Sequence, residues 1–344
     1  MDTTQPSKRT NQLALGTMTF GVETDEGGAF AQLDRFREVG GTHIDTADVY
    51  GDGESERIIG RWLADRRPDR GDDGMLIATK GRFAPPEGLA GASRPALQAA
   101  VDASLSRLGI DHIDLYLVHG WDQETPVAET LETLTGLVEA GKIGRVGWSN
   151  LTGYQFGTIV TTARLGDLAG PEVIQLQYNL LDRTIEHELL PFCLDTGITS
   201  QAWSPLGGGW LTGKYRRNKR PEGATRLGED PNRGVEAYDK RNTDRTWAIV
   251  DAVTAIASDH GCSPGQVAIT WLLTRPTVSS VLLGARTLEQ LDDNLGAADV
   301  TLSADDIARL TTVSAPGLPD YPYAMLEEFA GMEHWHILGS AATI

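Results

Sequence analysis

Four side chains that could together transfer a proton occur in three separate stretches of the sequence. Asp45 and Tyr50 lie five residues apart, where a β-branched run starting at Thr42 gives way to acidic residues, tyrosine and glycine. Lys80 and His119 each follow a further apolar run. A tyrosine hydroxyl can donate a proton, but its ordinary pKa of about 10 makes it a weak acid near neutral pH. Proton donation by Tyr50 therefore requires neighbouring groups that change this pKa.

The other three residues are of the types that such a device needs. A lysine ammonium close to the phenol would stabilise the phenolate and lower the pKa of Tyr50. Asp45 would keep a buried Lys80 charged, because an unpaired buried charge is costly. His119 could hydrogen-bond the substrate oxygen or share the proton. We predict that these four residues (the tetrad) allow Tyr50 to protonate a developing alkoxide at neutral pH.

A metal centre is the main alternative for the same stretches. Suitable ligand types are present: His43, Asp45, Asp48, Asp52 and His119. Lys80 in their midst would compete with a cation, and the sequence has no His-x-His pair. We therefore predict no metal site, and we interpret His43 and Asp48 as structural or polar lining residues.

The segments around these residues alternate between strand-like and helix-like patterns. Apolar runs predict eight strands, at residues 12–16, 42–45, 75–79, 113–118, 143–147, 173–176, 198–203 and 278–283. Helical spacing and capping residues predict the main helices, at 29–39, 54–66, 95–108, 126–140, 152–164, 188–195, 243–259, 263–274, 287 onward and 303–310. Residues 210–241 are predicted to form a long irregular loop, of a length that is usually functional or disordered.

Regular β–α alternation with buried apolar strands means a parallel sheet. A doubly wound sheet and a closed barrel both satisfy this pattern, but the first strand–helix turn lacks a Gly-x-Gly-x-x-Gly sequence. Polar residues instead follow nearly every strand, as at the mouth of a barrel enzyme. We predict an α/β protein with a (β/α)8 TIM barrel and extra C-terminal helices. Residues 1–344 are expected to form a single domain, with a C-terminal tail from about residue 314.

Composition narrows the class of partner. A formal net charge of −18 argues against binding nucleic acid. No apolar run approaches the roughly 20 residues needed to span a bilayer, and the polar residues 1–12 do not form a signal or anchor, so a soluble cytoplasmic protein is expected. Cys193 and Cys262 have no metal or redox spacing and are interpreted as free thiols. One basic cluster stands out, and it is either a solvated face or a phosphate entry point: Lys214, Arg216, Arg217, Lys219 and Arg220.

The tetrad in its local settings resembles the catalytic tetrad of the aldo-keto reductase superfamily. Supporting strings run from about residue 12 to about 313: LGTMTFG at 15–21, DTADVYG at 45–51, ATK at 78–80, LVH at 117–119, GWSN at 147–150, YN at 178–179, WSPL at 203–206, LTGKY at 211–215 and GART at 284–287. Two departures are a glycine at Gly120, directly after the histidine, and the missing proline in the strand before Gly284. Gly120 is expected to enlarge the substrate side.

The resemblance implies NADPH as the cofactor, bound across the barrel mouth. Trp203 would stack on the nicotinamide, and Ser149, Asn150 and Gln175 would hydrogen-bond its carboxamide. The pyrophosphate would contact residues of the turn after the seventh strand, namely Ser204, Leu206, Gly207, Gly209, Leu211, Gly213 and Lys214. The adenosine end would be held by Gly284, Arg286, Gln290 and Asn294, with Arg286 suited to a 2′-phosphate.

The resemblance also implies a reductase of aldehydes or ketones, with a small-molecule carbonyl substrate. The acceptor pocket is predicted to contain Met18, Phe20, Val49, Phe83 and Trp121 beside the tetrad. Two other functions fit the resemblance: a cofactor-binding regulator similar to potassium-channel β subunits, and a reductase of nucleotide-bound keto-sugars. The sequence does not choose among these substrates, and it does not define the oligomeric state.

Overall fold

The computed structural model describes residues 9–67, 74–83, 89–223, 225–230, 232, 234–317 and 319–330. Eight parallel strands close into a barrel in chain order, with β8 pairing back to β1. The strands are β1 (Leu13–Gly16), β2 (His43–Asp45), β3 (Leu76–Gly81), β4 (Ile113–Val118), β5 (Ile143–Ser149), β6 (Val173–Gln177), β7 (Thr199–Trp203) and β8 (Val278–Gly284). The predicted (β/α)8 barrel is confirmed.

Helices follow the strands and form the outer layer of the barrel. They are α1 (Glu26–Glu38), α2 (Glu54–Arg66), α3 (Arg94–Leu108), α4 (Val127–Glu139), α5 (Gly153–Gly166), α6 (Leu189–Thr196), α7 (Arg226–Glu229), α8 (Tyr238–Arg241), α9 (Asp244–His260), α10 (Pro264–Leu273), α11 (Leu288–Leu295), α12 (Ala304–Val313) and α13 (Met325–Ala330). In the described part of the chain, none of them is long and apolar enough to cross a bilayer.

Helix α1 begins three residues before the predicted start at residue 29. Asp25 caps it, because its side chain accepts a hydrogen bond from the Gly28 N–H at 2.8 Å. Gly27 and Gly28 lie in the first turn, and glycine is a poor helix former. The cap therefore sets the start of this helix, and the glycines concealed it in the sequence.

The interior of the barrel and the surrounding layer have separate cores. Inside the barrel, Ala78, Leu115, Leu117 and Val173 pack together with Leu76 at their edge. The larger core lies between strands and helices, and its largest fully buried side chains include Trp62, Trp210, Trp271, Phe36 and Phe156. These apolar interior side chains come from β3, β4 and β6. Along each strand they precede the polar residues at its carboxyl end.

Strand register brings those polar ends together. Asp45 is paired with Gly16 and with Ala78, so Lys80 lies two residues beyond the level of Asp45 on the neighbouring strand. Ser149 is paired with Gln175 across β5 and β6. The barrel therefore gathers residues that are separated by more than a hundred positions in the chain.

Beyond α12 the described chain continues through a helical turn, Asp320–Ala324, into α13. The Tyr323 hydroxyl donates a hydrogen bond to the Glu188 carboxylate at 2.6 Å. The prediction of extra C-terminal helices is confirmed by α12 and α13. The predicted single domain over 1–344 extends past the described residues, since residues 331–344 lie outside them, and it stays a prediction.

Candidate active site

Lys80 and Asp45 form a fully buried ion pair at the ends of β3 and β2. The Lys80 side chain is 0% exposed and that of Asp45 is 1% exposed, with the Lys80 Nζ 2.5 Å from Asp45 Oδ1. The same ammonium donates to the Thr46 carbonyl at 2.8 Å. Burial by itself would lower the pKa of Lys80, but Asp45 and then Tyr50 outweigh it and raise this pKa above its ordinary value. Lys80 is therefore a charged ammonium held in the interior.

Tyr50 receives the remaining contact of that ammonium. It lies in a helical turn, Tyr50–Gly53, above the end of β2. Lys80 Nζ donates to the Tyr50 hydroxyl at 3.4 Å and lies 5.0 Å from the centre of its ring. The contact agrees with the sequence-based prediction, but the pKa does not. Burial raises the pKa of Tyr50, and Lys80 offsets this effect only in part because Asp45 lies beside it. Tyr50 is therefore a neutral phenol in this structure.

His119 completes the group at the end of β4. Its ring is edge-on to that of Tyr50, with the two centroids 5.9 Å apart. Its Nδ1 is buried and has no hydrogen-bond partner among the described residues. Burial, followed by the nearby charges of Lys80 and Arg82, lowers the pKa of His119 to about 3. Near neutral pH this histidine is an uncharged imidazole. It can donate a hydrogen bond, but it cannot act as an imidazolium acid.

Gln175, which was predicted to contact the cofactor, also contacts Asp45 of the tetrad, and the sequence did not indicate this contact. Its Nε2 donates to Asp45 Oδ2 at 2.8 Å and to Gln201 Oε1 at 3.1 Å. Asp45 is thus held by Lys80 on one oxygen and by Gln175 on the other. Gln201 was missed altogether, because an inward-facing glutamine in the middle of β7 has no motif around it. Gln175 therefore orients the carboxylate of Asp45.

The residues after β5 connect His119 with Trp203. Asn150 Nδ2 donates to the His119 carbonyl at 3.0 Å, and Asn150 Oδ1 accepts from Trp203 Nε1 at 3.1 Å. Asn150 has a φ of 58°, a conformation that asparagine tolerates better than most residues. Ser149 donates to the Gln175 carbonyl at 2.9 Å. These contacts fix the wall of the site opposite Tyr50.

A cavity of about 660 Å³ opens beside these residues at the carboxyl ends of the strands. Three members of the tetrad line it, namely Asp45, Tyr50 and His119, and Met18 also does. Most of the residues predicted to hold a cofactor line it as well: Ser149, Asn150, Gln175, Trp203, Ser204, Leu206, Gly209, Lys214, Gly284, Arg286, Gln290 and Asn294. The barrel thus assembles one continuous site from residues predicted on seven of its strands and the segments that follow them.

Other predicted residues are not among those that line this cavity. Gly207 and Leu211 are buried, and Gly213 ends the helical turn Gly207–Thr212. Phe20 lies in the hydrophobic core, so its predicted contact with a substrate has no support in the geometry. Val49, Phe83 and Trp121 also lie outside the lining, although Phe83 packs on the His119 ring with centroids 4.7 Å apart. The sequence strings located these segments but did not tell which side chains face inward.

Six lining residues are neither predicted site residues nor part of the quoted strings: Gly208, Thr225, Arg226, Leu282, Glu289 and Asp293. Thr225 and Arg226 belong to the long segment 210–241. Glu236 secures this segment, since its carboxylate accepts from Ser204 Oγ at 2.6 Å and pairs with Arg226 at 2.9 Å. The unusual length of the segment was the available signal that it contributes to the site.

Three basic side chains, Lys214, Arg226 and Arg286, lie together at one end of the cavity. Burial lowers the pKa of Lys214, and the charges of Arg286 and Arg226 lower it further. Arg286 pairs with Glu229 at 2.8 Å and Glu23 at 3.3 Å, whereas Lys214 has no ion pair among the described residues. Gly209, at φ 89°, leaves room for Lys214, because a Cβ there would lie 2.5 Å from the Lys214 Nζ. This end of the cavity fits a phosphate-bearing ligand.

The remaining members of the basic cluster do not join Lys214. Arg217 pairs with Asp244 at 2.9 Å, and Arg220 pairs with Asp239 at 2.5 Å, with all four side chains largely exposed. These two arginines are therefore part of a solvated face. Only Lys214 of the cluster reaches the cavity.

The barrel and its strand-end site are those of an enzyme of the TIM-barrel class, and comparison with known proteins gives the family. The profile of the aldo/keto reductase family matches residues 12–315. An uncharacterized oxidoreductase of Bacillus subtilis, YrpG, is 32% identical over 89% of this chain and 92% of its own. A probable voltage-gated potassium channel subunit beta of Oryza sativa is 34% identical over 85% and 88%. Norsolorinic acid reductase stcV of Emericella nidulans is 32% identical over 93% and 82%.

The chain belongs to the aldo-keto reductase family. The resemblance inferred from the sequence strings is therefore confirmed. Membership of this family supports an oxidoreductase activity on carbonyl compounds.

Proposed function

We propose that this protein is an NADP(H)-dependent reductase of aldehydes or ketones in which Tyr50 donates the proton. The observation that carries the proposal is the placement of Lys80, which is wholly buried and contacts both Asp45 and Tyr50. These two residues line a cavity whose other end holds basic side chains. A buried ammonium aimed at a phenol has little structural value, because burying a charge is costly. It does have value where the phenol loses a proton during a reaction.

The cationic end of the cavity supports a phosphate-bearing dinucleotide. Lys214, Arg226 and Arg286 would hold its phosphates, and the indole of Trp203 offers a flat surface at the tetrad end. When bound, the reduced nicotinamide supplies a hydride to the carbonyl carbon of the substrate. The choice of NADPH over NADH is part of the proposal, and Arg286 is the residue that would make it.

The tetrad then handles the proton. As negative charge develops on the carbonyl oxygen, the Tyr50 hydroxyl donates its proton to that oxygen. The raised pKa of Tyr50 does not prevent this transfer, because an alkoxide is far more basic than a phenolate. Lys80 stabilises the phenolate left behind, and Asp45 keeps Lys80 in place. The neutral imidazole of His119 is available to hydrogen-bond the same oxygen.

The direct test is consumption of NADPH with a broad acceptor such as para-nitrobenzaldehyde. Replacing Tyr50 by phenylalanine (Tyr50→Phe) removes only the hydroxyl, so we expect the fold to persist and turnover to fall by roughly 10²–10⁴-fold. Tyr154→Phe is the matched control, since Tyr154 lies on α5 with 76% of its surface exposed. Unchanged turnover in Tyr50→Phe would contradict the assignment of Tyr50 as the proton donor.

A second function is supported by the similarity to the rice protein named as a potassium channel subunit beta. We propose as the alternative that the chain binds the cofactor as a regulator of a partner protein. The two roles differ in how fast the bound cofactor exchanges. Exchange at the rate of turnover favours the enzyme, whereas very slow release together with a stable partner in pull-down experiments favours the regulator.

A further inference from the structure

A strained arginine lies directly beyond the tetrad lysine. Arg82 follows β3 and has a φ of 126°, a backbone conformation that L side chains rarely adopt. Such conformations cost of order 1–3 kcal/mol and are concentrated at functional sites. Its carbonyl accepts a hydrogen bond from the Gly91 N–H at 2.8 Å. The fold therefore holds this residue in place although a glycine would suit the backbone better.

Within the part of the chain that the structure describes, no hydrogen bond or ion pair of the Arg82 side chain explains this cost. Its Nε is buried without a hydrogen-bond partner, and no carboxylate of the described residues lies within ion-pairing distance of its guanidinium. The acidic residue Asp122 is near enough for Arg82 to lower its pKa. However, Asp122 already accepts hydrogen bonds from Ala92 N at 2.7 Å, Thr125 Oγ1 at 2.7 Å and Glu124 N at 3.1 Å. Among the described residues, Arg82 is thus a cation without an ion pair, on a protein of net charge −18.

Phe83, which lies outside the cavity lining, connects Arg82 with His119 of the tetrad. The guanidinium carbon lies 5.2 Å from the centre of the Phe83 ring, and the other neighbour of that ring is His119 at 4.7 Å. Gly120 allows this stack, because a Cβ there would lie 3.2 Å from Phe83 Cζ. Arg82 is also separate from the cations that would hold a cofactor, since it follows β3 whereas Lys214 and Arg286 follow β7 and β8.

From this arrangement we propose that Arg82 is a specificity-determining residue that selects carbonyl substrates bearing a carboxylate. The inference rests on the proposed reductase function and names its substrate class. A guanidinium fork matches a carboxylate in two parallel hydrogen bonds, and such charge-assisted bonds are the strong ones. A protein with a net charge of −18 repels anions, so a local unpaired cation is what an anionic substrate requires.

The test compares para-carboxybenzaldehyde with para-formylbenzamide, which has the same shape and no charge. We expect kcat/KM of the wild type to favour the carboxylate. In Arg82→Gln that preference should fall by about tenfold or more, mainly through KM, and Arg82→Lys should keep part of it. Arg164→Gln, at an exposed arginine near the end of α5, is the matched control and should keep the preference. An equal loss on both aldehydes in Arg82→Gln would overturn the inference.

A binding measurement separates this inference from the proposed function. Calorimetry on the protein with NADP⁺ should show para-toluate binding at least tenfold more tightly than para-toluamide, with the difference lost in Arg82→Gln. Equal binding of the two ligands to the wild type would overturn the inference even if aldehydes are reduced. If no aldehyde is reduced, the proposed function fails, and selective toluate binding would still support an anion site at Arg82.

The variant Arg82→Gly tests whether the arginine side chain serves only to stabilise the fold. Glycine adopts a φ of 126° without strain, so this variant should melt no lower than the wild type while it loses the preference for the carboxylate. A markedly lower melting temperature would show that the side chain serves the fold, and that result would contradict the inference.

Discussion

At the scale of one residue, burial beside the tetrad changes the protonation behaviour of Asp48. Its side chain is buried, and neither carboxylate oxygen has a hydrogen-bond partner among the described residues. Burial, followed by the charge of Glu56, raises the pKa of Asp48 to about 7, while Arg107 and Lys80 oppose the shift. The Tyr116 hydroxyl, also buried and unpartnered, faces the same space next to Gly81. Folding therefore penalises the ionised form of Asp48.

This penalty predicts a pH dependence with a defined sign. A carboxyl whose pKa rises on folding binds its proton more tightly in the native state, so its ionisation destabilises the fold. The loss begins above the unfolded pKa of about 4 and grows until the pH passes about 7. We therefore expect Asp48→Asn to gain about 2–3 kcal/mol in unfolding free energy relative to the wild type between about pH 5 and about pH 7.5.

Urea unfolding at several pH values measures this difference directly. Because all other titrating groups are shared, the comparison isolates Asp48. A difference between the two proteins that stays constant over this range would contradict the interpretation of Asp48 as an uncharged buried acid.

At the scale of elements, β3 and β4 are tightly packed at Gly81, the residue after Lys80. Gly81 and Val118 are partners in the register of these strands. A Cβ on Gly81 would lie 2.2 Å from the Tyr116 hydroxyl and 3.1 Å from Ala100 Cβ. Lys80 precedes this glycine, so crowding here would displace the tetrad lysine. The close packing of Tyr116 is therefore compatible only with glycine at position 81.

Gly81→Ala is expected to cost about 1–3 kcal/mol in unfolding free energy, as overpacking usually does. Tyr116→Phe alone should cost less than about 1 kcal/mol, because the hydroxyl that it removes has no hydrogen-bond partner. The double variant should recover a large part of the loss, since the contact atom at 2.2 Å is gone.

A double-mutant cycle by urea unfolding checks this coupling. Strictly additive losses would show that the hydroxyl is not the obstacle. We expect only a partial recovery, because the new Cβ at position 81 still contacts Ala100 whether residue 116 is tyrosine or phenylalanine.

At the scale of the whole molecule, the distribution of charge matters more than its sum. The net charge is −18, yet Lys214, Arg226 and Arg286 meet at one end of a single cavity. Converging cations in a concave site focus the field on an anionic ligand despite the acidic surface. Arg226 and Arg286 are paired with glutamates, whereas Lys214 has no ion pair among the described residues. In the neighbouring surface cluster, Arg217 and Arg220 are paired with aspartates. The whole molecule is therefore suited to admit phosphates at one place.

Arg286→Gln should discriminate between cofactors. We expect the Kd for NADPH to rise by about tenfold or more and that for NADH to change little, because only NADPH carries the 2′-phosphate that the guanidinium would hold. Quenching of tryptophan fluorescence reports both affinities, with Arg217→Gln as a control on the solvated face. Equal weakening of the two cofactors would place Arg286 elsewhere than at the 2′-phosphate.

The amino-acid sequence by itself predicted the barrel, which is confirmed, and it predicted the tetrad, whose four residues lie together in the structure. It could do so because strand and helix periodicity are local, and because Asp45, Lys80 and His119 each end an apolar run. It also indicated that residues 210–241 contribute to function, through their length alone.

Only the tertiary structure decided the contacts and ionisation states that depend on distant parts of the chain. Gln175 reaches Asp45 across 130 positions, and Arg226 enters the cavity from an irregular segment. The sequence suggested that Lys80 lowers the pKa of Tyr50, whereas burial raises it. Desolvation depends on everything packed around a group, so no local pattern encodes it. The same holds for Arg82. That it has no ion pair among the described residues can be known only from the tertiary structure.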